Sequence, residues 1–183
     1  MNIWSIALKV VGWKVNITTP YRDKCVICVA PHTSNWDFIA GLAAYRSLGR
    51  DANFLMKKFW FFWPLKYLLK ALGGIPVESS RKTGESLVTR IINDFSARNY
   101  MNLAVTPEGT RSRVETWRTG FLQIALGAHV PIQLGVIDFK NKSVIIEKEY
   151  NPTGNVDEDL KIIRGYYSRF PDAPKYPDKF AID

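Results

Sequence analysis

Apolar residues recur along this chain in two alternating periods, which predicts strands and helices following one another at short spacing. Ile3, Trp4, Ala7, Leu8 and Val11 fall at helical spacing, so residues 2–11 read as a helix ended near Gly12. Residues 15–18 alternate like an edge strand, and the unbroken apolar run 25–30 reads as a buried one. Helix is then expected over 36–48, closed by Gly49, and strand over 53–56. Further strands are expected at 75–77, 102–105, 131–139 and 143–148, with helices at 85–99, 120–128 and 157–170. Leu87, Val88, Ile91, Ile92 and Phe95 form the apolar face of the first of these three helices. Prolines 171, 174 and 177 predict an extended tail. There is neither a repeat nor a linker, so the pattern predicts one α/β layered domain over 1–183, with a largely parallel sheet flanked by helices.

Two segments admit two readings each. Phe59, Trp60, Phe61, Phe62 and Trp63 are consecutive, and the helix after Pro64 carries Lys66 and Lys70 on one face. This is either a buried helix with Pro64 in its first turn, or a face that meets a membrane or an acyl chain. Residues 1–13 either dock on the core or lie in an interface, with Trp4 and Trp13 at headgroup level and Lys9 and Lys14 reaching anionic lipid.

The chemistry sits in loops that follow strands. Pro31-His32-Thr33-Ser34-Asn35-Trp36-Asp37 joins the buried strand to a helix, and Ser34 or Asn35 suits the N-cap. Five residues apart within one helix, two side chains diverge by about 140°. With His32 on the incoming turn, however, it can meet Asp37 as a base with an orienting acid. A second loop carries Arg81. A third, Pro107-Glu108-Gly109-Thr110-Arg111-Ser112, couples a carboxylate, a permissive glycine and a guanidinium able to grip phosphate in a fork. By itself that loop could equally be a turn with an Arg–Glu surface pair. Ligands of such sheets bind beyond the carboxyl ends of the strands, where the three loops are expected to converge.

Charge and cysteine usage narrow the partners. With 25 Lys and Arg against 17 acids, the net charge is +8 and favours an anionic partner: phospholipid, phosphorylated small molecule, acidic carrier protein or nucleic acid. Cys25 and Cys28, three apart in a strand, point to opposite faces and read as buried reduced thiols. Two histidines and two opposed cysteines make no plausible metal ligand set, and His129 reads as a packed or capping residue at a helix end. Gly-x-Ser-x-Gly and P-loop motifs are both missing. The N-terminus does not read as a secretory signal, and the longest apolar run is far short of a spanning helix, so a cytoplasmic protein, soluble or on the inner membrane face, is expected.

His32 with Asp37, Gly74-Ile75-Pro76-Val77 with Arg81 nearby, Pro107 to Ser112, and Val130-Pro131-Ile132 stand in an order that resembles the glycerophospholipid acyltransferases, exemplified by lysophosphatidic acid acyltransferase. The blocks span residues 31–132. Pro31 stands where that family usually has Asn, Thr106 where it has an aromatic, and Ser79 and Ser80 precede Arg81.

The resemblance implies His32 as base, Asp37 as its orienter and Arg111 as the acceptor-phosphate ligand. Arg81 and Lys57 or Lys58 would assist, and Glu108, Gly109 and Thr110 would shape the pocket. It further implies acyl-CoA or acyl carrier protein as donor, no bound cofactor, and a lysophospholipid acceptor such as 1-acylglycerol-3-phosphate. Another lipid or amine acceptor is the nearest variant, and a non-catalytic module binding anionic lipid the alternative from another class. A nucleic-acid binder fits less well, because the aromatics cluster in one apolar run instead of interleaving with Lys and Arg on a strand.

Overall fold

The apolar run Lys24–Val29 forms β2, the middle strand of a seven-stranded sheet. The computed structural model describes residues 2–77 and 86–181. The other strands are β1 (Lys14–Ile17), β3 (Asn53–Lys57), β4 (Gly74–Val77), β5 (Met101–Val105), β6 (Ile132–Asp138) and β7 (Ser143–Tyr150). Their order is β1-β7-β6-β2-β5-β3-β4, and every pairing is parallel except β6–β7. A short turn at 139–142 joins those two as a hairpin, which requires the antiparallel sense. β1 is the edge strand that its alternation predicts, and this is a single α/β domain.

Helices α1 (Ile3–Val10), α2 (Asn35–Ser47) and α3 (Leu65–Ala71) lie on one face of the sheet. Leu8 of α1 and Ala40, Ala43 and Ala44 of α2 pack on Ile137 and Val144, where small side chains let α2 approach closely. Arg46 of α2 joins the layer by donating to the Ala71 carbonyl and stacking over Trp4. Helices α4 (Leu87–Ala97), α5 (Gly120–Gly127) and α6 (Val156–Tyr167) cover the opposite face, burying Ile91, Phe95, Phe121, Ile124, Ile163 and Tyr167. This division follows from parallel connections being right-handed, because α2 and α4 cross the sheet in opposite directions. Cys28 lies in the α4–α6 core and Cys25 in the smaller cluster around Tyr45; both thiols are free and buried.

Four features decide between or correct the sequence expectations. Residues 59–63 are not a buried helix: Lys58–Trp60 is one 3-10 turn, α3 begins only at Leu65, and Phe59 and Trp63 are 80% and 75% exposed. α1 does dock through Leu8, yet Ile3, Ile6 and Val10 remain exposed. α6 stops at Tyr167, three residues before its expected end. Of the two readings of His129, the capping one holds: it is exposed and takes the left-handed conformation (φ 54°) just past the end of α5. Among the described residues no helix is long and apolar enough to cross a membrane.

Candidate active site

Because β2 is central and runs in register with β5, its end delivers His32 beside the loop that follows Val105. Ser34 is the N-cap of α2: its hydroxyl accepts from the Trp36 N–H (3.2 Å), and the Asp37 side chain takes the Ser34 N–H in a capping box. The same cap holds the His32–Asp37 pair. Asp37 Oδ2 accepts from the Thr33 and Ser34 amides and pairs with His32 Nδ1, all at 2.9 Å. Asp37 is buried, whereas 18% of the His32 side chain is exposed. A neutral His32 donating Nδ1–H to Asp37 carries its lone pair on Nε2, so the pair can accept a proton at that atom.

Glu108 is the point where the two loops join. Both of its oxygens accept the His32 backbone N–H (3.1 and 3.0 Å), and the residue is only 7% exposed. Burial pushes its carboxyl up to about 7; the nearby Asp37 carboxylate adds to this, and the His32 N–H opposes it. Gly109 follows with φ 64°, and a Cβ there would lie 2.6 Å from Arg118 Nε, so glycine permits both the turn and the guanidinium above it. Thr110 Oγ1 accepts from the Ser112 N–H (3.3 Å). Exposed Arg111 reaches across to donate to the Asn35 side chain, at the first residue of α2.

The structure therefore brings His32, Asp37, Glu108, Gly109, Thr110 and Arg111 together at one edge of the sheet. Lys57 ends β3 at that same edge, two strands and thus about 10 Å from β2. Arg81 lies outside the described residues.

Sequence reading missed two contributors. Arg118 is held over Gly109 while its own N–H donates to the Pro107 carbonyl (2.7 Å). The proline-containing tail folds back onto the first loop: the Tyr176 N–H donates to Thr33 Oγ1, and the Lys175 ammonium lies 5.3 Å from the Trp36 ring centre. No local pattern announces either contact, since both partners are remote in sequence. Beneath the site, the Tyr167 hydroxyl donates to the Cys28 carbonyl at the end of β2.

A histidine–carboxylate pair at the carboxyl edge of a mainly parallel sheet, with a guanidinium on the adjoining loop, is the kind of site at which a general base could serve a group transfer. A family model described as Acyltransferase matches residues 14–136, from β1 into β6, and so includes both loops. The chain belongs to this family, the glycerophospholipid acyltransferases such as lysophosphatidic acid acyltransferases. No curated protein matches it at a significant level.

Proposed function

We propose that this acyltransferase moves a fatty acyl group from acyl-CoA or acyl carrier protein to a hydroxyl of a lysophospholipid such as 1-acylglycerol-3-phosphate, as a step in phospholipid biosynthesis on a membrane face. The observation that carries this reading is the His32 Nδ1–Asp37 Oδ2 contact of 2.9 Å, with Arg111 fixed at the start of the same helix.

In this mechanism Nε2 of neutral His32 takes the acceptor's hydroxyl proton as that oxygen attacks the thioester carbonyl. Asp37 holds the tautomer and stabilises the imidazolium. The tetrahedral adduct then expels the thiolate, which receives the proton from His32, leaving an ester and a free thiol. The acyl group passes directly, so no enzyme nucleophile is needed. Arg111 binds the acceptor phosphate as a two-pronged donor, and Lys57 adds positive charge at the same edge of the sheet. Glu108 and Gly109 set the shape of that pocket.

Thiol release from acyl-CoA in the presence of lysophosphatidate tests the assignment. His32→Ala is expected to lower turnover roughly 10²- to 10⁴-fold, the usual contribution of a general base. Equal rates for the two proteins would remove His32 from the chemistry.

A further inference from the structure

We infer that the segment from Lys57 to Lys70 is a docking surface for an anionic lipid bilayer. Phe59, Trp60, Phe62, Trp63, Tyr67 and Leu68 are all exposed, and they lie within ten residues of one another. A soluble protein seldom leaves so contiguous a set of large apolar side chains in water without a partner.

The segment is built to hold them there. Phe61 turns inward and its ring packs on Gly74, while Leu69 is buried, so the turn and α3 are anchored on β4 from beneath. The Phe61 N–H donates to the Lys58 carbonyl (2.9 Å), and Phe59 and Trp60 meet edge to face at 5.8 Å. The exposed rings thus project from a fixed base.

Charge selects the occupant. Lys57, Lys58, Lys66 and Lys70 interleave with the aromatics, and no acidic residue occurs from 52 to 77. Before residue 78 the chain has ten Lys and Arg against three Asp and Glu, so +7 of the +8 net charge lies in the part that forms α1 to α3. Tryptophan and phenylalanine exposed beside Lys57, Lys66 and Lys70, in a half of the chain with this charge, suit the headgroup layer of an anionic membrane.

Placement links the surface to the site. Phe54 of β3 is level with Ala104 of β5, which is level with Ile27 of β2, so Lys57 and His32 leave the sheet at the same edge. Trp36 and Ile39 are likewise exposed, on the first turns of α2 that follow His32. If the acceptor is the lysophospholipid proposed above, this orientation presents it to Arg111 and His32 from the bilayer.

Co-sedimentation with phosphatidylglycerol vesicles tests the surface independently of catalysis. Wild type and His32→Ala are expected to partition alike, at least tenfold more strongly than onto phosphatidylcholine vesicles and less in high salt. Phe59→Ser/Trp63→Ser should lose at least tenfold in partitioning while keeping wild-type turnover on a water-soluble short-chain acceptor, which also reports its folding. Ile162→Ser, on α6 of the opposite layer, should bind as wild type does. Unchanged binding by the double variant, equal loss in Ile162→Ser, or a dimer in solution that the double variant abolishes would each overturn the inference. Normal vesicle binding by a protein without acyl transfer would sink the proposed function and leave the docking surface standing.

Discussion

Glu108 does its work through the main chain of another loop. By holding the His32 N–H it fixes where the imidazole begins, which in the proposed mechanism makes it a positioning residue for the base. Its folded-state carboxyl titrates near 7 against about 4.5 in the unfolded chain, because burial disfavours the charge. The folded protein therefore holds that proton more tightly, so the stabilisation is complete below pH 4.5 and is lost as the pH rises through 7. Relative to Glu108→Gln, wild type should lose up to about 3 kcal/mol of unfolding free energy across that window. Denaturant melts at a series of pH values measure this, and a flat difference would show that Glu108 does not titrate there. Glu108→Ala should be the less stable variant by about 1–3 kcal/mol, since the His32 N–H then loses its acceptor.

At the scale of one element, the N-terminus of α2 makes helix capping and site assembly the same set of bonds. Ser34→Ala removes the hydroxyl that accepts from Trp36, and should cost about 1 kcal/mol of stability. It leaves the Ser34 backbone N–H on Asp37, so the His32 pair survives and turnover should fall much less than stability suggests. Asp37→Asn should behave in the opposite way. The helix keeps a side-chain acceptor, but the histidine loses the charge that holds its tautomer, and turnover should drop roughly 10²- to 10⁴-fold. Thermal melts paired with kcat for the two variants separate the cap from the chemistry; parallel losses would contradict this division.

Over the whole molecule, β2 carries one thiol into each layer of core. Burial pushes Cys25 up to about 12 and Cys28 higher still, so neither forms a thiolate near neutral pH. Both should be inert to a water-soluble thiol reagent in the native protein and react together on global unfolding, and fast native labelling would show an open β2. The same layering divides the surface. The α4–α6 side buries Phe95, Trp117, Phe121, Tyr166 and Tyr167 in the larger core, whereas the α1–α3 side keeps smaller clusters and leaves Trp36, Phe59, Trp60, Phe62, Trp63 and Tyr67 exposed.

Local periodicity was enough to place each helix and strand to within a few residues, because the alternation of Val15 or the spacing of Ile91 and Phe95 reflects which side of an element is covered. The His32–Asp37 geometry was legible for a similar reason: a cap, a first turn and an incoming residue are set by contacts within six residues. Strand order, the insertion of β7 between β1 and β6, and the bonds of Glu108 to His32 and Arg111 to Asn35 come from pairings between remote residues, which no window of sequence contains. The aromatic run shows the limit most clearly. Five consecutive rings announce an apolar surface to be covered, but whether the chain itself covers it depends on how far β4 and α3 extend beneath, and here they reach only Phe61 and Leu69.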